Sequence, residues 1–398
     1  MKLQVFFITV ICLILFLWAL QHGNNLHFPD EMEYHQFGIS LAEGHGFTLE
    51  NGDPSVLRPP GYPFLLGILY RFYPEPLSGK LLNVVLFCLA VGIMCKICDN
   101  ALPALFVLAY PVLFFTTTTL YPVILGGLLL LLILLLLLSD THQKRNLILA
   151  GLLLGVLILN IPSFMLTAPI LAWILFRHRQ GSFVRRTGKV MVFTLCTLVV
   201  VLPWTWRNYR QFDAFIMVSA NSGLNLFLGN SPNAGPNTGV NVERSDVLKV
   251  VEGMNEIDTD HYYRDQALDW IRTHPADAAK LYAAKAVNYF NFRNELKTTS
   301  QSSSLKNLVM FLSWYPLLGL FVIRLFFQKK YPLSELEKAI YLLVISNVFL
   351  SAIFFTRIRF RLPFDMLMIL ANAIFLSQLL PNNRFFALKP LTKAKMLL

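Results

Sequence analysis

The sequence predicts an all-α polytopic membrane protein: a bundle of about ten transmembrane helices with two outer-face loop regions that bear short helices. Two observations carry this. Of the 398 residues, 55% are hydrophobic and 14% charged, with a mean hydropathy of +0.55, far from the balance of a soluble globular chain. The apolar residues also fall in runs near the roughly 20 residues needed to cross a hydrocarbon layer about 30 Å thick. Helices satisfy their own backbone there without closing into a barrel.

The spans are expected near 4–20, 81–98, 101–116, 119–138, 147–162, 164–176, 190–206, 307–324, 339–355 and 363–380. The first resembles a signal peptide, but Ala19-Leu20-Gln21 is not a small-x-small cleavage site and further spans follow, so it reads as a retained anchor. The runs at 101–116 and 164–176 are short, and Pro103, Pro111, Pro162 and Pro169 can break or tilt helices there. The leucine run at 128–138 reads as lipid-facing helix. Three units follow: residues 1–206 as an N-terminal transmembrane module that includes a first loop at 21–80, residues 207–306 as an external loop subdomain, and residues 307–398 as the last spans with a basic tail.

Basic residues are held on the cytoplasmic side of a membrane. The stretch from Leu3 to Leu57 has no Lys or Arg, yet carries Asp30, Glu31, Glu33, Glu43, Glu50 and Asp53. Lys144 and Arg145, then Arg177, Arg179, Arg185, Arg186 and Lys189, then Lys329 and Lys330, occupy alternate connections, and Arg384, Lys389, Lys393 and Lys395 join them from the tail. Both termini are therefore expected in the cytoplasm, with 21–80 and 207–306 outside. The net charge of +11 comes largely from this bias, which points to anionic lipid as a partner and argues against nucleic acid. Short loops and modest length favour a bacterial inner membrane. All five cysteines, Cys12, Cys88, Cys95, Cys98 and Cys196, lie in apolar spans, so no disulfide framework is expected. Cys95 and Cys98 read as helix packing rather than a zinc site.

In the second external segment, Asn, Gly and Ser turn signals fill 221–239 before a helical stretch near 259–292. Pro275 after His274 marks a helix start. Ala278, Ala279, Leu281, Tyr282 and Ala286 give that helix a packing face, and Trp204, Trp206 and Trp314 read as an interfacial belt.

The first loop holds the most chemistry. Asp30 precedes a helical stretch at 31–43, with Glu33 three residues on and Gly44 after its end, so Asp30 is a candidate N-cap. Equally, Asp30 and Glu31 are adjacent carboxylates at a low-dielectric boundary. They are expected to raise one another's proton affinity, so that one acts as a general base. Arg58, stiffened by Pro59 and Pro60, suits an anionic phosphate or a lipid headgroup. Arg357, Arg359 and Arg361 share a short connection placed outside, against the charge bias, and call for an anionic partner. Arg207, Arg210 and Lys285 are lesser candidates. His22, His27, His35 and His45 share the acidic loop; a divalent cation is an open alternative there, although their spacing defines no single helix face and no cofactor is called for.

The segments Pro29-Asp30-Glu31-Met32-Glu33-Tyr34, Glu43-Gly44-His45-Gly46-Phe47 and Arg58-Pro59-Pro60-Gly61-Tyr62-Pro63 resemble the first-loop signature of the GT-C membrane glycosyltransferases, specifically the protein O-mannosyltransferase and aminoarabinose transferase group. Pro203 to Tyr209, Ser219 to Asn230 and Arg359 to Pro363 are similar to further segments of its bacterial branch. The resemblance covers most of the chain. It implies a GT-C bundle and an inverting transferase that takes a sugar from a polyprenyl-phosphate carrier on the outer face, for a glycan, lipid or protein acceptor.

On this resemblance Asp30 matches the general base and Glu31 completes the acidic pair. Arg58 matches a donor-phosphate cation; Arg359, Arg361 and Lys285 join it as donor-phosphate candidates on their charge and placement. Tyr34, Tyr62, Asn221 and Asn230 are expected to line the substrate cavity. Three positions depart from the pattern. Leu57 stands where relatives carry an acidic residue, which weakens a metal site, Tyr121-Pro122 replaces a glutamate, and Asn160 replaces an arginine. These departures keep open a non-catalytic polyprenyl-lipid carrier or flippase, or a degenerate family member. A carrier, however, usually shows charged residues within spans and internal repeats.

Overall fold

The computed structural model describes residues 2–141, 143–178, 181–294 and 303–380; Arg179 and the basic tail residues Arg384, Lys389, Lys393 and Lys395 lie outside them. Among the described residues the chain forms helices and a single isolated bridge, Thr48 with Pro54. In order the helices are α1 (Lys2–His22), α2 (Pro29–Ala42), α3 (Gly61–Tyr70), α4 (Pro76–Cys98), α5 (Leu102–Leu108), α6 (Pro111–Thr117), α7 (Val123–Leu138), α8 (Gln143–Asn160) and α9 (Phe164–His178). There follow α10 (Phe183–Phe212), α11 (Ser222–Gly229), α12 (Ser245–Val251), α13 (Glu256–Thr273), α14 (Pro275–Asn288), α15 (Ser304–Phe326), α16 (Glu335–Ile353) and α17 (Ile358–Leu379).

Among the described residues, seven helices are long and apolar enough to cross a membrane: α1, α4, α8, α10, α15, α16 and α17. The shorter α3, α7 and α9 are apolar as well. The expected span at 101–116 is instead two short helices, because Pro111 opens α6 and cannot extend α5. The expected first loop contains a complete apolar helix, α3. Helix α10 runs on to Phe212, past the expected boundary at 206.

The leucine-rich α7 is not lipid-facing. All its residues except Leu132 and Leu135 are buried, among α4, α8 and α17. A helix apolar on every side has no polar face to show, so it can sit at the bundle centre. Two glycines set the close seam between α8 and α10. A Cβ on Gly151 would lie 2.5 Å from the Phe193 carbonyl, and one on Gly155 would lie 2.5 Å from Val200 Cβ. Small residues four apart let α8 and α10 approach backbone to backbone, and Thr197 Oγ1 donates to the Gly151 carbonyl at 3.0 Å.

Cys12 on α1 and Cys88 on α4 are paired across the contact between their helices, with Cα atoms 6.2 Å apart. This departs from the expectation of no disulfide framework, since helical neighbours remote in sequence carry no spacing signal, while Cys95, Cys98 and Cys196 are free. Trp204 and Trp314 are buried in the protein rather than part of a belt, while Trp206 is exposed. Trp204 Nε1 donates to the Val218 carbonyl and Trp314 Nε1 to the Phe290 carbonyl, both at 2.7 Å.

Polar contacts collect at two opposite ends of the bundle. At the basic end, Gln4 reaches the Cys95 carbonyl, Asn100 the Ser377 hydroxyl, His178 the Leu138 carbonyl and Lys189 the Gln143 amide. At the loop-rich end, Lys80 Nζ donates to the carbonyls of Gly23 and Asn25, and Asn288 Nδ2 to Thr356 Oγ1. The segment between α10 and α15 covers this end. Within it Phe227, Tyr263 and Ala267 join α11 to α13, and the Asp260 carboxylate accepts the amides of Gly223 and Leu224, which caps the start of α11.

Candidate active site

Asp30 is not an N-cap. Helix α2 takes Phe28 in extended backbone as its N-cap and Pro29 at its first position, so Asp30 and Glu31 both lie in the first turn. Carboxylates there favour the positive end of the helix, but their side chains go different ways. Neighbouring residues on a helix point about 100° apart, so the two carboxylates take different partners. Glu31, fully buried, accepts the His27 amide at 3.2 Å and the Leu120 amide at 3.0 Å. It pins the start of α2 to the turn between α6 and α7.

Asp30 faces a partly open cluster instead. Its Oδ1 accepts from an Arg58 Nη at 2.6 Å, and its Oδ2 from an Arg359 Nη at 2.8 Å and from the Tyr121 hydroxyl at 3.2 Å. Arg58 also donates its Nε to Glu33. Glu33 stands three residues from Asp30 on the same helix face, so one guanidinium reaches both carboxylates. The Arg359 guanidinium lies over the Tyr121 ring, 5.0 Å from its centre. These groups are neither sealed nor free in water: the side chains of Asp30, Arg58 and Arg359 are 23%, 19% and 34% exposed. Burial pushes the Asp30 proton affinity up, but the charges of Arg359 and then Arg58 outweigh it and hold the carboxyl below its ordinary value. This reverses the mutual elevation expected from the Asp30-Glu31 pair.

The other expected site residues divide. Tyr34 is buried beside the cluster, edge-on to Tyr62 and Tyr121, with the Arg58 guanidinium 6.0 Å from its ring, and burial raises its phenol to about 12. Tyr62 lies fully buried beneath, its hydroxyl donating to Asn83 at 3.3 Å. Arg361 and Lys285 point elsewhere. Arg361 is 1% exposed; it donates to Asp365 at 3.2 Å and to the carbonyls of Tyr289 and Asn291 at 2.9 and 2.6 Å, with its guanidinium carbon 3.4 Å from the centre of the Trp314 ring. Two residues along a helix from Arg359, it necessarily faces another way.

Lys285 is fully buried and donates to the Gly229 carbonyl, Asn230 Oδ1 and the Phe354 carbonyl at 2.8, 3.1 and 2.7 Å. Asn230 is likewise a joint, donating to the carbonyls of Leu226 and Ile353. Asn221 stands at the N-cap position of α11 without a side-chain capping bond, and its Oδ1 accepts from Ser219. The four histidines do not converge. His22 and His27 meet edge to face, His35 bonds the Tyr70 hydroxyl at 2.9 Å, and His45 lies against Glu43. Among the described residues no three His, Cys, Asp or Glu side chains gather as cation ligands.

Glu33 and Tyr121 are the members that sequence reading assigned no site role. The helical spacing of Glu33 from Asp30 was the available signal; Tyr121 was marked only as standing where the family pattern has a glutamate, and the Glu31 contact to Leu120 that brings it in leaves no local trace.

No family model matches the chain, and no curated protein matches it. Among solved structures, the fold matches the crystal structure of ArnT from Cupriavidus metallidurans bound to undecaprenyl phosphate, with a TM-score of 0.58 and 15% sequence identity. The match covers 95% of this chain and 61% of that one, so the chain spans about three fifths of the length of ArnT. The chain therefore has the fold of ArnT, the GT-C-like polytopic helical architecture that the sequence resemblance implied.

Proposed function

We propose that this protein is an inverting glycosyltransferase that moves a sugar from a polyprenyl-phosphate carrier to an acceptor on the outer face of a bacterial inner membrane. The observation that carries this reading is the Asp30 carboxylate held between Arg58 and Arg359, groups 329 residues apart at their extremes, at the loop-rich end of an ArnT-like fold. On this reading α7, α9 and the α5–α6 pair complete ten crossings, both termini are cytoplasmic, and the loop-rich end faces outward.

The two guanidinium groups are the cations suited to a lipid phosphate, since each offers planar paired donors. A phosphodiester entering between them takes the place of Asp30 as their counter-ion. Asp30, released, is then free to accept the acceptor's proton. The acceptor oxygen forms its bond to the anomeric carbon, the bond from that carbon to the phosphate oxygen breaks, and the electron pair leaves on the phosphate, where the arginines stabilise it. Glu31 and Tyr121 act in this scheme as parts that fix Asp30, and Arg361 and Lys285 as parts that fix the elements around it.

The test is sugar release from a panel of polyprenyl-phosphate sugars by the purified protein and its Asp30→Asn variant, in detergent with a chelator present. The expected result is turnover by the wild type, its loss in the variant by roughly 10²- to 10⁴-fold as for removal of a general base, and undiminished donor binding in both. Binding without turnover in either protein refutes catalysis and leaves a carrier.

A further inference from the structure

The backbone just before Arg58 is gripped from several directions. Ser55 and Val56 are both fully buried. Glu256, the first residue of α13, accepts the Ser55 hydroxyl on Oε1 and the Val56 amide on Oε2, each at 2.7 Å. Arg207, near the end of α10, donates to the Ser55 carbonyl at 2.8 Å, and the Ala220 amide donates to the Val56 carbonyl at 2.8 Å. The Ser55 amide reaches the Phe47 carbonyl at 3.1 Å. Every backbone polar group of the dipeptide is thus engaged, and the Val56 side chain packs with Ile216 and Ala220, against Ile257.

From this anchor the chain has little freedom before α3. Leu57 donates its amide back to Ser55 Oγ at 3.1 Å. Pro59 and Pro60 then fix φ near −65°, and α3 starts at Gly61, where an added Cβ would come within 2.5 Å of the Asn160 amide. Arg58 stands between the two anchors. Its guanidinium meets Asp30 while its backbone is set by a carboxylate some two hundred residues along the chain.

We propose that Glu256 is a positioning residue for Arg58: by locking Ser55 and Val56 it fixes the height of the Arg58 guanidinium over Asp30, and so sets how tightly the site holds a lipid phosphate. This rests on the reading of Arg58 as a phosphate cation. It also makes the segment between α10 and α15 part of the donor site through geometry, without contact to the donor.

The experiment is a double-mutant cycle on the full chain in lipid nanodiscs, with polyprenyl monophosphate as the probe and apparent melting temperature recorded alongside. Glu256→Ala is expected to weaken binding about tenfold, the lower end of what removing an outer partner of an oriented metal ligand costs. Glu256→Gln is expected to restore most of the affinity, because its amide can accept from Val56 and donate to Ser55. In an Arg58→Met background, Glu256→Ala is expected to weaken binding no further. Losses that add in the double variant, or Glu256→Ala binding as wild type while Arg58→Met does not, overturn the positioning role and leave the phosphate reading standing. If Arg58→Met itself binds as wild type, the phosphate reading fails and takes the proposal with it. Should Glu256→Ala not fold, Ser55→Ala, which removes one of the two contacts, is put through the same cycle with the same outcomes.

Discussion

Arg359 and Arg361 stand two residues apart in one connection, and on the proposed function they have opposite duties that a pair of substitutions separates. Arg361 is buried with Asp365, two backbone carbonyls and the Trp314 ring as partners. Arg361→Met keeps much of the length and apolar bulk but leaves the Asp365 carboxylate without its cation inside the bundle. Removing one partner of a buried ion pair costs about 3–5 kcal/mol. Tyr110, which donates to Asp365 at 2.7 Å, offsets part of this. Arg359→Met breaks a pair whose arginine side chain is 34% exposed, and partly exposed pairs contribute about 1 kcal/mol or less; Asp30 also retains Arg58.

The expected outcome is a lowered apparent melting temperature and faster thermal inactivation in detergent for Arg361→Met, with near-normal donor affinity in the fraction that remains folded. Arg359→Met is expected to melt close to wild type and to bind polyprenyl phosphate poorly. Arg361→Met melting as wild type while losing donor affinity would refute the reasoning, because its guanidinium must then face the ligand.

Three further outcomes are expected. Lys285→Met should destabilise the protein by about 1–3 kcal/mol through its buried, abandoned acceptors, without changing donor affinity; both are read from unfolding and binding on one preparation. Burial lowers the Lys285 amine to about 8, below its unfolded value of about 10.4. The unfolded chain therefore binds more protons between those values, and wild-type stability relative to Lys285→Met should rise from pH 8 to pH 10. Gly155→Leu should separate α8 from α10 and lower the yield of folded protein, whereas Gly155→Ala should cost less; size-exclusion profiles in detergent report both.

How legible this molecule was in its sequence depends on the length scale of each feature. Apolar runs gave the long helices, and Pro275 gave the start of α14, because these signals are local. The same local signal misplaced the leucine run of α7: hydropathy marks a segment as apolar but not whether lipid or protein surrounds it. Asp30, Arg58 and Arg359 were each recognisable through the resemblance of their segments, while the ion pairs that join them are long-range and left no spacing to read. Adjacency misled at Asp30 and Glu31, where one residue of helical rotation sends two carboxylates to different tasks. Arg361 and Lys285 were read as phosphate cations from charge and placement in the chain, and their lack of exposure, which sets what they bond, is a property of the fold.

The resting cluster carries a tension that yields the sharpest test of the proposed reaction. A carboxylate held below its ordinary proton affinity by two arginines is a poor base, so the reaction as proposed needs the donor to disengage it. If the phosphodiester replaces Asp30 between Arg58 and Arg359, the proton affinity of Asp30 must rise on donor binding. Linkage then fixes the sign: donor affinity increases as pH falls through the bound-state value and levels off below the free-state value, which lies under the ordinary carboxylate value near 3.9. Stability follows the companion rule. The contribution of the ionised Asp30 in the free protein is complete above the unfolded carboxylate value and is lost as pH falls through the lowered folded value. Donor affinity measured for wild type and Asp30→Asn from pH 7 downward distinguishes the cases, since a sugar-bearing phosphodiester does not itself titrate there. The wild type should gain affinity as the solution is acidified and Asp30→Asn should stay flat; parallel profiles would mean that the phosphate never displaces Asp30, and that its proton acceptor must be sought elsewhere.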